Sequence, residues 1–317
     1  EKKMSKPITY SETFHSIQGE GYFTGVPSTW LRFFLCNLQC DGFGQEDPTD
    51  SSTYDLPYQS IDVKDITKIE DLPVWERGCD SSYSWSKKFR HLQHKSTPDE
   101  LYDILVKDQT NEFNPEGKWT HPVSGETAHL CITGGEPMMR HAQLAVIDLW
   151  NVFRGKLDGQ KPKWITWETN GTQKLTPAFE EFFSNPGVCS ANMFMSVSPK
   201  LFTVSGEKNK KAICPEIVKT YDTMVTKNRR FGDRQQIPNG QLKFVLGPKA
   251  EQWEELDRVV KEFRAAGVDW PVWIMPVGAT LEGQALCDGD VARMAQDRGY
   301  SVAARVHTYL YGNLIGV

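Results

Sequence analysis

Six short, almost unbroken apolar runs constrain this 317-residue chain more than any other feature. They lie at residues 30–35, 128–132, 164–167, 193–197, 242–245 and 272–275. A sheet with one wet face alternates apolar and polar residues. These runs do not alternate, as expected of parallel strands covered on both faces. Helical patterns fall between some of them. Thr97-Pro98-Asp99-Glu100 is a capping box with Pro at the first helical position, and it predicts a helix to about Lys107. Apolar spacing predicts helices over residues 142–153 and 250–266, the latter stopped by Gly267, and Thr176-Pro177 opens another that ends near Asn185-Pro186. Strand–helix alternation of this kind predicts an α/β sheet or barrel.

Three polar segments interrupt the alternation. Residues 41–78 hold ten acidic side chains against three basic ones, so the net charge of −5 comes from this one stretch and the remainder sits near +2. Residues 108–127 read as polar loop. Residues 201–239 are basic, with Lys208, Lys210, Lys211, Arg229 and Arg230. Each is expected to be a solvated surface excursion. The overall acidity argues against a dedicated nucleic-acid binder, which needs a basic face. No run of 18 apolar residues exists, so no membrane span is expected. The absence of an apolar N-terminal segment makes a cytoplasmic location the expectation.

Seven cysteines, an odd number in a large chain, do not suit a disulfide framework. Cys131, Cys189, Cys214 and Cys287 stand alone and are expected to be small buried hydrophobes. Cys36-Asn37-Leu38-Gln39-Cys40 differs, because two thiols spaced by three residues after a strand can reach one metal or cluster. By itself the pair suits zinc and iron–sulfur equally. Thr133-Gly134-Gly135-Glu136-Pro137 follows another predicted strand. Its glycines let a ligand approach the backbone, and its Glu can accept from an ammonium group.

Taken with these two motifs, Ser16-Ile17-Gln18-Gly19-Glu20-Gly21, Leu31-Arg32-Phe33, Glu168-Thr169-Asn170-Gly171, Ser198-Pro199-Lys200, Leu242-Lys243-Phe244-Val245 and Arg305-Val306-His307 occur in a fixed order. In this the chain resembles the radical S-adenosylmethionine enzymes and, within them, the 7-carboxy-7-deazaguanine synthase family. The resemblance runs from about residue 8 to the end. It departs at one place. The family's third cysteine belongs after two intervening residues beyond the second, where this chain has Phe43. The residues that normally follow reappear as Cys79-Asp80-Ser81-Ser82-Tyr83-Ser84-Trp85. Residues 41–78 are therefore read as an acidic insertion in the cluster loop. A loop of 38 residues closes at modest cost, because closure entropy grows only logarithmically with length.

The resemblance implies a single domain over residues 1–317, an incomplete (β/α) barrel with polar insertions at 41–78, 108–127 and 201–239. Its site is expected at the carboxyl ends of the strands. It implies a [4Fe–4S] cluster on Cys36, Cys40 and Cys79, with S-adenosyl-L-methionine held by Gly134, Gly135, Glu136, Glu168, Ser198 and Lys200. Ser81 takes the place of a Mg²⁺ ligand. A pterin substrate is assigned to Ile17, Gln18, Gly19, Glu20, Arg32, Thr133 and His307, and to Val317 through its carboxylate. Arg32 falls in an apolar run, where an unpaired charge is costly, and pairing with a substrate carboxylate resolves that. The implied reaction is ring contraction of 6-carboxy-5,6,7,8-tetrahydropterin with loss of ammonia, as a lyase of queuosine or modified-DNA biosynthesis. The partners implied are a reductant such as flavodoxin and a second copy in a homodimer, with no direct nucleic-acid contact. Two rivals remain. One is an activase of the same superfamily acting on a partner protein, against which Ser16–Gly21 speaks. The other is a catalytically retired regulatory homologue, supported by Phe43.

Overall fold

In a computed structural model, residues 6–229, 237–312 and 315 are described. Among them the strands are β1 (Ile8–Ile17), β2 (Pro27–Phe33), β3 (His94–Ser96), β4 (His129–Gly134), β5 (Trp164–Thr169), β6 (Asn192–Val197), β7 (Gly240–Leu246), β8 (Val272–Pro276) and β9 (Ser301–Val302). They form one sheet in the order β3-β1-β2-β4-β5-β6-β7-β8-β9. β1 is antiparallel to both β2 and β3, and every pair from β2 to β9 is parallel. All six apolar runs are strands of the parallel part, and their fully buried Leu31, Ile132, Trp167, Met195, Phe244 and Ile274 explain the lack of alternation.

The helices are α1 (Pro98–Asp108), α2 (Arg140–Arg154), α3 (Pro177–Phe183), α4 (Pro215–Asn228), α5 (Ala250–Ala265) and α6 (Asp288–Asp297), besides shorter turns. The capping box of α1 is formed in both directions: Glu100 N donates to Thr97 Oγ1 at 3.3 Å and Thr97 N donates to Glu100 Oε2 at 2.8 Å. α5 buries Trp253, Leu256, Val259 and Phe263 on one face, at helical spacing. Residues from β1, β2, β4, β5, β7 and β8 line a common cavity of about 370 Å³, so the sheet curls around its own strand ends. The edge strands β3 and β9 do not pair with each other among the described residues. The result is an incomplete barrel.

Two of the three polar segments are more than solvated excursions. Residues 41–78 leave and rejoin the barrel at a narrow neck, where Gly78 N donates to Phe43 O at 2.7 Å. Gly44 at that neck has φ +70°, and a Cβ on it would stand 2.3 Å from the Glu76 carbonyl oxygen. Beyond the neck, Tyr58, Ile69, Leu72 and Trp75 share a small core with Tyr83, Phe89 and Leu92. Residues 201–239 contain α4, whose Val218, Tyr221, Met224 and Val225 are fully buried in the main core. The expectation of a solvated stretch failed there because charged and hydroxyl side chains on the wet face mask a narrow apolar stripe. Within 108–127, Trp119 is also fully buried, although most of the segment is turn.

Candidate functional site

The cavity opens where the parallel strands end, as placement at a barrel's carboxyl face requires. Cys36, Cys40 and Cys79 all line it, and they pack around Leu38, Phe43 and Ala212 in one small cluster. Phe43, which stands where the family has its third thiol, thus lies beside the thiols without being one. All seven cysteines are free, and Cys131, Cys189, Cys214 and Cys287 are not part of the lining. Burial pushes the Cys36 thiol up to about 12 and the Cys79 thiol up to about 11, and raises Cys40 as well. Three thiols so desolvated stay neutral unless a cationic centre takes them as thiolates, so the donor set fits an iron–sulfur cluster. Among the described residues no three His, Cys, Asp or Glu side chains are arranged to hold a single metal ion. A four-iron cluster spreads three thiolates over three different irons.

The cluster loop is held by named contacts. Asn170 Nδ2 donates to Asn37 Oδ1 at 3.1 Å, and Asn37 Nδ2 donates to Thr172 Oγ1 at 2.9 Å. Gly134 and Gly135 line the cavity, with Glu136 N donating to Leu35 O at 2.8 Å. The Glu136 carboxylate itself does not line the cavity. It is fully buried, accepting from Met138 N, Thr169 Oγ1 and Asn170 N at 2.9, 2.6 and 2.7 Å. Burial pushes its pKa up to about 6, against those three donors. Glu136 therefore fixes the turn that carries the glycines, and is not placed as a direct ligand contact. Ser198 and Lys200 line the cavity, joined by Lys200 Nζ donating to Ser198 Oγ at 2.9 Å.

The same cavity is lined by an ionic network whose pairings the motifs did not assign. Glu20 is paired with Lys243 at 2.5 Å and with Arg305 at 3.1 Å. Lys243 reaches Glu168 at 3.0 Å, and Arg305 reaches Asp80 at 3.1 Å. Burial alone would raise the Glu20 carboxyl, but Lys243 and Arg305 hold it well below the usual carboxylate range. Gln18 is buried and donates through Nε2 to Glu168 Oε1 at 3.0 Å. Glu168 is thus tied to Gln18 and Lys243. Ile17, Gly19, Thr133 and His307 also line the cavity. Gly19 has no Cβ because the His307 ring occupies that space: a Cβ there would stand 1.9 Å from Nδ1. Val306 N donates to Gly19 O at 2.9 Å, fixing the C-terminal segment on the first loop. Ser81 lines the cavity and donates to Asp80 Oδ1 at 2.9 Å. Val317 lies outside the described residues.

Arg32 lines the cavity, but it already has a protein partner. Its Nε donates to Glu12 Oε1 at 2.6 Å, and Tyr83 OH donates to the same oxygen at 2.8 Å. Nη1 donates to Gly134 O at 3.4 Å. The structural ion pair and the cavity position coexist in one residue. Glu12, Tyr83, Asp80, Lys243 and Arg305 are the residues that motif reading missed. Four of them stand inside the quoted motifs or directly after Cys79, so position was a usable signal. Glu12 sits on β1, where nothing marks it.

No family model matches the chain. Among curated proteins, the 7-carboxy-7-deazaguanine synthase of Escherichia coli (strain K12) is 28% identical over 211 residues, which cover 62% of each chain. The chain therefore spans under two thirds of that relative's length. The synthase of Rhodopirellula baltica is 24% identical over 312 residues, covering 98% of this chain and 88% of that one. That of Halobacterium salinarum is 24% identical over 313 residues, covering 96% and 91%. Among solved structures, QueE from Escherichia coli is similar over 95% of each chain, with 17% identity and a TM-score of 0.49. The motifs and the curated similarities coincide: the chain is similar to the 7-carboxy-7-deazaguanine synthases.

Proposed function

We propose that this chain is a radical S-adenosylmethionine lyase that converts 6-carboxy-5,6,7,8-tetrahydropterin to 7-carboxy-7-deazaguanine with loss of ammonia. The observation that carries the reading is one cavity lined both by the three cysteines Cys36, Cys40 and Cys79 and by the Gln18–Glu20 network. Cys36, Cys40 and Cys79 would hold a [4Fe–4S] cluster, with S-adenosylmethionine along Gly134, Gly135, Ser198 and Lys200. When bound, that pair supplies one-electron reduction and an adenosyl radical that abstracts hydrogen from substrate.

The chain's own residues bind, orient and exclude water. A pterin presents an amino group and a ring N–H side by side, both donors. Glu20, kept ionised by Lys243 and Arg305, would accept them. Arg32 is oriented by Glu12, and its Nη2, which has no hydrogen bond among the described residues, would face the substrate carboxylate. His307 would close the site beside Gly19. Ser81, with Asp80 beside it, supplies hard oxygen for Mg²⁺. Phe14, Trp30, Trp85 and Met275 make much of the wall apolar, which limits the access of solvent to the bound reactants. In this reading the reductant is an external one-electron carrier such as flavodoxin, and the chain works as a homodimer in the cytoplasm.

Anaerobic reconstitution with iron and sulfide tests the reading. The expected result is about four irons per chain and formation of 7-carboxy-7-deazaguanine from the carboxypterin. A fully loaded cluster that cleaves S-adenosylmethionine but leaves the carboxypterin unchanged would overturn the substrate assignment.

A further inference from the structure

The short turns Phe202–Ser205 and Asn209–Ala212 belong to a segment that the sequence marks only as basic and polar. In the structure this segment is a bracket for the cluster loop. Glu207 Oε1 accepts from both Gln39 N and Cys40 N, at 2.7 and 2.8 Å. Gly42 N donates to Ser205 O at 3.0 Å, and Glu207 N donates to Ser205 Oγ at 3.2 Å. Ala212 packs on Leu38 and Cys40. Cys40 has φ +57°, a left-handed backbone that a residue other than Gly keeps only when its surroundings enforce it. Glu207 makes no ion pair among the described residues, and its Oε1 is shared by these two amides.

Two consequences follow for any iron–sulfur cluster on Cys36, Cys40 and Cys79. Backbone amides near such clusters ordinarily donate to sulfur, and those bonds make reduction easier; nearby negative charge makes it harder. Here the amides of Gln39 and Cys40 are committed to a carboxylate, and that carboxylate adds an anion next to the loop. Both effects act in the same direction. We infer that Glu207 is a positioning residue that keeps these two amides from the cluster sulfurs, and so holds the cluster at a lower reduction potential. This rests on the cluster assignment proposed above. The effect is useful to an enzyme of that kind, because reductive cleavage of a sulfonium needs a strongly reducing electron.

The test compares wild type, Glu207→Gln and Glu207→Asp, each reconstituted anaerobically. Iron is counted, and the cluster is titrated with dithionite at poised potentials by its visible absorbance and electron paramagnetic resonance. Each titration adds one electron per cluster and makes no bond. With iron content equal to wild type, Glu207→Gln should raise the ratio of reduced to oxidised cluster about tenfold at the wild-type midpoint, about 59 mV for a one-electron couple. Glu207→Asp keeps the charge but shortens the reach, frees one amide, and should raise the ratio about threefold. Full iron in Glu207→Gln with a ratio within twofold of wild type overturns the inference alone. If Glu207→Gln fails to hold iron, Glu207→Asp decides, and a wild-type ratio in it is equally contrary. Failure of wild type to take up iron overturns the cluster reading and this inference with it.

Discussion

Arg32 and Glu12 show how one side chain serves packing and binding together. The guanidinium is pinned by Glu12 and lies 5.7 Å from the Tyr83 ring centroid, while the residue still lines the cavity. Removing the cation alone strands Glu12, which is 5% exposed. Arg32→Ala should therefore lose about 3–5 kcal/mol of stability in denaturant titration, as well as carboxypterin turnover. Arg32→Met combined with Glu12→Gln should recover most of the stability and none of the turnover. Wild-type stability in Arg32→Ala would show that the pair is not structural. His129 offers a second test at this scale. It is buried against Trp164 with ring centroids 5.5 Å apart, and burial lowers its pKa to about 4. A base with a depressed folded pKa contributes stability above its unfolded value, near 6.5, and loses it as pH falls toward the folded one. Between pH 7 and 4, wild type should lose about 3 kcal/mol more than His129→Phe. Equal pH profiles for the two would contradict the burial argument.

At the level of elements, the 41–78 segment is the feature that sets this chain apart from the usual spacing of the family it resembles. We propose that it is an insertion whose neck positions Cys79. Val74 and Glu76 from it line the cavity, so it also forms part of the wall. Gly44→Ala forces a Cβ against the Glu76 carbonyl and should pry the neck open. The expected outcome is a lower melting temperature and fewer than four irons per reconstituted chain, whereas full iron would separate the neck from the cluster. The parallel strands were legible because burial on both faces leaves near-continuous apolar runs. β1 was not, because its buried Ser11 and Glu12 make a core strand look polar. α4 was hidden by its polar flanks. The cluster cysteines and the glycine turn were legible as motifs. The partners of those motifs, Glu12 and Glu207, were not, since a long-range hydrogen bond leaves no local pattern in sequence.

Across the whole molecule, the chain Glu168–Lys243–Glu20–Arg305–Asp80 links β5, β7, the first loop, the C-terminal segment and the residue after Cys79. Its members come from separate parts of the sequence, so the site assembles only when the barrel is complete. Arg305→Met should leave the iron content intact and raise KM for the carboxypterin more than it lowers kcat, because Glu20 loses one of its two cations. An unchanged KM would detach the network from substrate binding.

The claim on which the account turns is that Cys79, 36 residues beyond its usual place at position 43, is the third cluster ligand. Iron and sulfide counts on anaerobically reconstituted Cys79→Ala, beside Cys131→Ala, test it most directly. The account predicts loss of the brown chromophore and of S-adenosylmethionine cleavage in Cys79→Ala, with Cys131→Ala loading as wild type. Full cluster occupancy in Cys79→Ala, or its loss in Cys131→Ala, would contradict it.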